Sequence, residues 1–361
     1  MTKTLAYVKS LYREGCVPIK QTIRLKDVAK KAGVSVGTTS RVINKHPSVS
    51  EEKRDRVLKA IDELEYKCNA IAKSLKMQKT KTIGVIIPDI ANEYYADIVR
   101  GAEDVASKAD YSIILCNTDC KEKNELATIK MLAEKQVDGI IMITYKLTQK
   151  TSKQLTDTGL PYVMVSTHVR NRNTASVNIS NDQAAYDAVR YLISRGHKSI
   201  AMITGPLADI EGGVYRLNGY KRALKDNDID YDPNLICESD YHYSTGYSSM
   251  LKLLERDIHF TAVIAASDYT IIGAAKALKE KNLQIPNDIA IMGFDNLAIT
   301  EYIQPSITTV EQPRYEMGSV SVRQLLKMIN GDELEEKQII VNHKLVIRDS
   351  TAVLQLSTVP K

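Results

Sequence analysis

The feature that most constrains this chain is a regular alternation of short apolar runs with helical patterns between residues 80 and 350. Runs such as TIGVIIPDI (82–90) and DGIIMIT (138–144) are rich in β-branched residues, which is typical of strands buried on both faces. Segments with apolar residues at helical spacing, among them 94–108 and 214–227, separate the runs. The alternation restarts after 176–180, so it predicts two α/β lobes, each with helices on both faces of a parallel sheet.

Composition excludes several classes of protein. The 361 residues suffice for two or three domains, and no apolar stretch reaches the length of a membrane span. The N-terminus lacks the apolar core and cleavage site of a signal peptide, so we expect a cytoplasmic protein without a membrane partner. The cysteines lack the spacing of a zinc site or a disulfide framework, so free thiols are expected. They are Cys16, Cys68, Cys116, Cys120 and Cys237.

Motifs for catalysis and for cofactors are absent from the sequence. It contains no GxGxxG, GxxxxGK[ST], HExxH or GxSxG pattern. We therefore predict no catalytic residue, no metal and no cofactor, and we do not expect an enzyme.

Charge is unevenly distributed. Residues 1–79 hold 18 Lys and Arg against 8 Asp and Glu, whereas the whole chain holds 49 against 44. A basic block followed by an acidic remainder indicates that nucleic acid binds at the N-terminal end.

Residues 25–43, LKDVAKKAGVSVGTTSRVI, have the pattern of two short helices joined by a tight turn. Gly33 suits the left-handed position that ends the first helix, and Ser35 is the expected cap of the second. At 100° per residue, Val36, Gly37, Ser40 and Arg41 share one face of the second helix. This arrangement is typical of a helix-turn-helix, whose second helix enters the major groove. There Arg41 has the donor geometry to read a guanine edge.

A third helix is predicted over 50–66, with Ser50 as its cap. Val57, Ile61 and Leu64 recur at helical spacing, so we expect them to close a three-helix core.

The segments KDVAKKAGVS, TSRVIN, VSEEKRDRVLKAIDEL and NAIAKSL resemble the N-terminus of the LacI/GalR family of bacterial transcription regulators. The resemblance continues from about Thr22 to Arg348. It implies an N-terminal all-α helix-turn-helix domain, followed by a two-lobed α/β domain like type I periplasmic binding proteins, doubly wound. It also implies a homodimer that binds a pseudo-palindromic double-stranded operator, with a small effector between the lobes.

The domain boundaries implied by the resemblance are as follows. They are an N-terminal extension 1–20, a helix-turn-helix domain 21–67, a hinge helix or linker 68–79, and an effector-binding and dimerisation domain 80–361, with an N-lobe of about 80–179 and 313–342 and a C-lobe of about 181–311 and 344–350.

The resemblance also assigns DNA-binding positions. Val36, Gly37 and Arg41 match base-reading positions. Ser35, Thr38 and Asn44 match positions that contact phosphate or cap the helix, although Thr38 is equally well explained as a surface threonine. In the hinge helix, which begins at Asn69, Leu75 matches the leucine that wedges between base pairs.

Three residues of this region depart from the family pattern. Thr39 replaces a core valine, so its hydroxyl must bond back to a carbonyl, that of Ser35. Glu65 and Cys68 stand where the family usually has glycine and proline, and the loss of proline predicts a less preorganised hinge.

The effector-binding positions implied by the resemblance follow the predicted strands. They are Asn92, Tyr94, Tyr95, Ser166, Arg216, Tyr241, Ser267, Asp295 and Gln312. Arginine donates a rigid fork and aspartate accepts from neighbouring hydroxyls, so Arg216 and Asp295 together suit a sugar diol. Glu93 replaces the proline of the family's Asn-Pro-aromatic-aromatic turn, and Ser267 replaces an asparagine. One of the two tyrosines is expected to serve packing alone, and Asp268 to complement a helix N-terminus.

The sequence thus predicts a repressor whose operator affinity is controlled by a sugar or sugar derivative. Two alternatives remain open. One is a catabolite-control regulator that answers to a phosphorylated carrier protein, and the other is a cytoplasmic sugar-binding module without DNA binding. The effector, the sign of its effect, the operator and the choice between dimer and tetramer are not readable from the sequence.

Overall fold

The structure is a computed structural model that describes residues 23–43, 46–66 and 79–352. The chain forms two compact units, Met1–Gln78 and Lys79–Lys361. The predicted extension 1–20 and the hinge positions 68–78 lie outside the described residues, as do Asn44, Asn69 and Leu75.

The described part of the first unit contains three helices around a small core. They are α1 (Leu25–Ala32), α2 (Val36–Ile43) and α3 (Glu51–Glu63). The buried residues at their centre are Val28, Ala32, Val42, Val49, Val57 and Ala60. Ile61 and Leu64 pack against this core, as the helical spacing predicts.

The local signals around the turn have the predicted geometry. Gly33 ends α1 with φ 64° and ψ 36°, the left-handed conformation that glycine adopts without cost. The Ser35 Oγ accepts from the Thr38 backbone N–H at 3.1 Å and so caps α2. Ser50 occupies the predicted N-cap position of α3, but its side chain makes no capping hydrogen bond. Instead Glu51 and Glu52 place negative charge in the first turn of α3, where the helix dipole favours it.

The second unit is built on two six-stranded sheets. Its strands in chain order are β1 (Thr82–Ile87), β2 (Ser112–Asn117), β3 (Gly139–Met142), β4 (Tyr162–Val165), β5 (Ala175–Ile179), β6 (Ile200–Thr204), β7 (Ile236–Glu238), β8 (Ala262–Ala265), β9 (Ala290–Asp295), β10 (Thr308–Glu311), β11 (Gln338–Val341) and β12 (Lys344–Val346). The first sheet has the order β11-β5-β4-β3-β1-β2, and the second β12-β10-β9-β8-β6-β7. The pairs are parallel except for β10 with β12.

Helices cover these sheets. In chain order they are α4 (Glu93–Lys108), α5 (Glu122–Glu134), α6 (Gln149–Asp157), α7 (Asn181–Ser194), α8 (Arg216–Lys225), α9 (Tyr243–Glu255), α10 (Asp268–Glu280), α11 (Ile299–Tyr302) and α12 (Arg314–Asn330). Every residue of β3 and of β9 is buried, as expected for strands that have helices on both faces.

The chain passes from the first sheet to the second after β5, returns after β10 through Gln312, and passes again between β11 and β12. We call the part around the first sheet the N-lobe and the part around the second the C-lobe. Parallel strands gather their carboxyl ends at one edge of each sheet, where ligands bind in open α/β folds.

Several elements differ from the sequence prediction, and the four-residue helix α11 is one that was not predicted. β7 and β10 were not predicted, because β7 has three residues and TTVE at 308–311 lacks an apolar run. The helix predicted from 214 is preceded by a π-helical turn, Ile210–Tyr215. Among the described residues, no helix combines the length and apolarity needed to span a membrane.

Candidate functional sites

A cavity lies between the two lobes, at the carboxyl ends of the strands. Its empty volume is about 490 Å³, including the part open to solvent. Its lining residues are Asn92, Tyr94, Tyr95, Ile143, Tyr145, Ser166, Asn181, Asp209, Glu211, Gly212, Arg216, Tyr241, Ala266, Ser267, Asp295 and Gln312. All nine residues that the sequence predicts at the effector site are among them, and their role in binding stays a prediction.

Arg216, the first residue of α8, is buried in the C-lobe wall of this cavity. Its Nε donates to Asn181 Oδ1 at 2.8 Å, and its Nη1 donates to the Ala266 carbonyl. The guanidinium lies over the Phe294 ring, 3.6 Å from the ring centroid. These contacts fix the plane of the guanidinium, and its other N–H groups remain for a ligand.

Asp295 is the last residue of β9 and is also buried. Its Oδ1 accepts from Gln312 Nε2 at 2.7 Å. Burial raises the pKa of this carboxyl to about 6, although the Arg216 guanidinium acts in the opposite direction.

Asn181, Asp209 and Glu211 are cavity residues that the sequence analysis missed. Glu211 Oε2 accepts from Asn181 Nδ2 at 2.9 Å, and burial raises the pKa of Glu211 to about 7. Asp209 accepts from Tyr241 Oη at 2.6 Å and from the Gly212 N–H at 3.0 Å. Asn181 closely follows β5, so the rule that found the other residues had the signal to find it, whereas Asp209 and Glu211 lie further beyond the end of β6.

The π-helical turn explains why Asp209 and Glu211 reach the cavity. A π turn adds a residue to a helical turn and is frequent at functional sites. Gly212 lies within it, and a side chain there would collide with the Tyr241 hydroxyl. The 3.6-residue period used to read the sequence cannot reveal such a turn.

The N-lobe wall is aromatic and uncharged. The Tyr94 hydroxyl bonds to Ser166 Oγ and donates to Gln312 Oε1 at 3.2 Å. Burial raises its pKa to about 12. The Tyr95 and Tyr94 rings meet edge to face. Tyr145, another cavity residue absent from the prediction, packs edge-on against Tyr241 of the C-lobe. Asn92 caps α4 by accepting from the Tyr94 N–H at 3.0 Å.

Three cavity residues hold left-handed backbone conformations. The φ angles are 50° at Ser166, 69° at Tyr241 and 121° at Asp295. Non-glycine residues rarely adopt positive φ, and such strain concentrates at functional sites. All three follow or end strands, so the strain lies where the side chains turn towards the cavity.

Two neighbouring residues do not line the cavity. Asp268 is fully buried, and its carboxylate accepts from the Leu297 N–H at 2.7 Å and from Thr309 Oγ1 at 2.6 Å. His168 of the N-lobe lies at the edge, with Nδ1 3.2 Å from the Tyr215 hydroxyl and 3.7 Å from Glu211 Oε1.

The first unit carries the candidate DNA-reading surface. Val36, Gly37 and Arg41 are exposed along one face of α2, whereas Thr39 is fully buried. The Thr39 hydroxyl donates to the Ser35 carbonyl at 3.1 Å, which confirms the predicted back-bond. Ser35 and Thr38 bond to each other through their hydroxyls at 2.9 Å.

Glu65 has φ 47° in the same unit, which explains why a glycine would suit this position.

No group of three or more His, Cys, Asp or Glu side chains in the described part of the chain is arranged to hold a metal ion.

Comparison with known proteins identifies both units. Residues 24–69 match the model of bacterial regulatory proteins of the lacI family, and residues 189–351 match the periplasmic binding protein-like domain. The regulator RegA of Clostridium saccharobutylicum is 39% identical over 327 residues, covering 91% of this chain and 98% of the relative. Catabolite control protein A of Priestia megaterium is 38% identical, with 91% and 99% covered.

Solved structures agree. The Lac repressor dimer bound to operator and the anti-inducer ONPF superposes with a TM-score of 0.84 at 26% identity, covering 92% of this chain and 99% of that one. The regulator CelR in complex with cellobiose has a TM-score of 0.71 at 31% identity, with 91% and 99% covered. The relatives are transcription regulators and not enzymes. The chain is a member of the LacI family of DNA-binding transcription regulators.

Proposed function

We propose that the protein is a homodimeric repressor in the cytoplasm, and that a small sugar-like effector bound between the lobes controls its operator affinity. Each helix-turn-helix would read one half of a pseudo-palindromic operator, so that the two-fold symmetry of the protein matches that of the DNA. The similarity to an operator-bound repressor dimer supports this assembly.

The observation that carries the effector proposal is the composition of the cavity. Buried carboxylates, one guanidinium and neutral hydroxyl and amide groups converge on a space bounded by tyrosine rings. Such a set of donors and acceptors around an apolar surface suits a ring that carries several hydroxyls. The structural relative solved with cellobiose is consistent with a ligand of this class.

The DNA half of the proposal is tested by selection. Purified full-length protein is incubated with sheared DNA from the genome that encodes it, and the retained fragments are sequenced. We expect an inverted repeat. Arg41→Ala is expected to weaken binding to that repeat by about 1–3 kcal/mol, because a bidentate base contact is lost. The matched control is Arg56→Ala, which removes an exposed arginine on α3. Equal losses in both variants would show that Arg41 acts only through its charge.

The effector half is tested on the selected operator. Neutral mono- and disaccharides are titrated into the protein–operator complex. The sugars carried by transporters that neighbouring genes encode are tested first. One sugar is expected to change operator affinity, and by linkage the operator must change the affinity for that sugar by the same factor. An operator affinity that changes with none of the sugars tested would contradict the sugar proposal.

The second candidate is a regulator that answers to a phosphorylated carrier protein. One observation favours it: the cavity groups already bond to one another, as in the Tyr94–Gln312–Asp295 series. The relative named catabolite control protein A points in the same direction. In this case a phosphorylated carrier, and no sugar, would strengthen operator binding in the titration.

A further inference from the structure

Glu93, the first residue of α4, bonds to the C-lobe with both its backbone and its side chain. Its backbone N–H donates to Tyr269 Oη at 3.2 Å. Its Oε1 accepts from the Ala298 backbone N–H at 3.3 Å. Tyr269 lies in α10 and Ala298 follows β9, so one N-lobe residue holds two C-lobe elements.

The first of these bonds requires a residue other than proline. Proline has no backbone N–H, so the turn with proline at this position cannot donate to Tyr269. The acceptor is itself held in place, because the Tyr269 ring packs on Tyr243 with centroids 4.4 Å apart. The substitution of glutamate for proline therefore supplies both a donor and an acceptor across the cleft.

The segment that Glu93 holds begins with the cavity residue Asp295. The Arg314 guanidinium donates to the carbonyls of Asp295 and Asn296 and pairs with Asp97 of α4 at 2.6 Å. Glu93 adds the bond to Ala298 at the far end of the segment. Two N-lobe side chains thus bond to residues 295–298, in addition to the C-lobe bond from the Leu297 N–H to Asp268. Asp295 has the strained φ of 121° within this segment.

We propose that Glu93 is a positioning residue that holds the lobes closed across the cleft and fixes the Asp295 segment before a ligand binds. Its neighbours in the chain, Asn92 and Tyr94, line the cavity from the N-lobe, and Asp295 lines it from the C-lobe. A ligand that touches both walls joins the same two segments that Glu93 already joins.

One consequence rests on the proposed function. A ligand that binds the closed form loses affinity in proportion to the fraction of protein that is open. If Glu93 keeps the free protein closed, the ligand can shift the equilibrium between open and closed forms only slightly. The effect of the ligand on operator affinity is then small. Removing Glu93 would then weaken ligand binding and enlarge the effect of the ligand on the operator.

The test begins without any ligand, so it does not depend on the proposed function. Hydrogen exchange at residues 295–299 is measured in the full-length protein, together with the radius of gyration from solution scattering. The variants are Glu93→Pro, which removes both bonds, and Tyr269→Phe, which removes one. The controls are Glu93→Gln, which keeps the N–H and an acceptor oxygen, and Tyr247→Phe, which loses a hydroxyl bond to Glu280 within the C-lobe.

We expect exchange at 295–299 to be about tenfold faster in Glu93→Pro, with a larger radius of gyration, because two hydrogen bonds that oppose opening are lost. Tyr269→Phe should show a smaller change, and both controls should match the wild type. Unchanged exchange and radius in Glu93→Pro would overturn the proposal, whether or not a sugar binds. If exchange rises as expected but no sugar changes operator affinity, the sugar proposal fails and the positioning role stands.

Discussion

The two walls of the cavity differ in chemistry although both are built from the ends of parallel strands. The N-lobe wall contributes tyrosines, Asn92 and Ser166, and no charged side chain is among its lining residues. The C-lobe wall contributes the charged groups, Asp209, Glu211, Arg216 and Asp295. Gln312 lies where the chain crosses between the lobes, and it bonds to Tyr94 on one wall and to Asp295 on the other.

This difference indicates a division of labour. Charged groups make the stronger hydrogen bonds, so the C-lobe wall should supply most of the binding free energy for hydroxyls. Tyrosine rings offer a flat apolar surface, so the N-lobe wall should select the shape of the ring. Substitutions in the two walls should therefore differ in magnitude, and pH should act on one wall alone.

The largest effect is expected from Arg216→Met. The substitution removes the guanidinium that lines the cavity and leaves the Asp295 and Glu211 carboxyls without a cation that lowers their pKa. Sugar affinity measured by calorimetry should fall by about 3 kcal/mol, roughly a hundredfold, as expected for charge-assisted bonds. The control is Arg222→Met on the same helix, which breaks the half-exposed pair with Asp182 and should change affinity little. Equal effects of the two substitutions would show that the loss of affinity does not come from the cavity.

The next effect is a pH dependence that comes from the C-lobe wall. Sugar hydroxyls donate best to ionised carboxylates, and the pKa values are about 7 for Glu211 and about 6 for Asp295. Affinity for a neutral sugar should therefore fall about tenfold between pH 8 and pH 5.5, as both carboxyls take up protons. Glu211→Gln should flatten the part of this profile above pH 6.5. An affinity that rises towards acid would show that the carboxyls bind in their protonated form.

The same pKa shift gives a stability prediction with a definite sign. The pKa of Glu211 in the folded protein lies above that of an unfolded chain, about 4.3, so the folded state binds more protons between these values. The contribution of Glu211 to stability is therefore present below about pH 4.3 and is lost as the pH rises to about 7. The unfolding temperature of Glu211→Gln should rise relative to that of the wild type as the pH rises from 5.5 to 8. A difference in unfolding temperature that does not change with pH would contradict the raised pKa of Glu211.

The smallest effect is expected from the N-lobe wall. Tyr94→Phe keeps the ring and removes the bonds to Ser166 and Gln312, so sugar affinity should fall by about 1 kcal/mol, roughly fivefold. The control is Tyr315→Phe, which removes a hydroxyl bond to Asp104 on the outer surface. If Tyr94→Phe lowered sugar affinity as much as Arg216→Met, the N-lobe wall would contribute as much binding free energy as the C-lobe wall, against this prediction.

Much of the fold was predictable because its signals are local. The helix predicted over 94–108 is observed at Glu93–Lys108, and the strand predicted over 138–144 at Gly139–Met142. Residues that follow strands were predicted at the effector site, and the structure brings all nine to one cavity. In the first unit, the cap at Ser35 and the back-bond of Thr39 involve neighbours within four residues, and both were predicted.

What the sequence did not reveal depends on distant partners or on irregular backbone. The reach of Glu211 into the cavity follows from a π turn, which has no periodic signal. The bond from Glu93 to Tyr269 joins residues 176 positions apart. The sequence therefore showed only that glutamate replaces the family's proline at position 93, and not which residue it contacts. Arg314 had no signal either, because the Asp97 and Asp295 that it joins come together only when the lobes pack.

The most direct measurement is operator affinity with and without the sugar, in the wild type and in Arg216→Met. We expect the two proteins to bind the selected operator equally well without sugar, because Arg216 belongs to the second unit and the DNA-reading helix to the first. The sugar should change operator affinity in the wild type and leave Arg216→Met unchanged at the same concentration. A full sugar response in Arg216→Met would contradict the claim that the cavity between the lobes is the effector site.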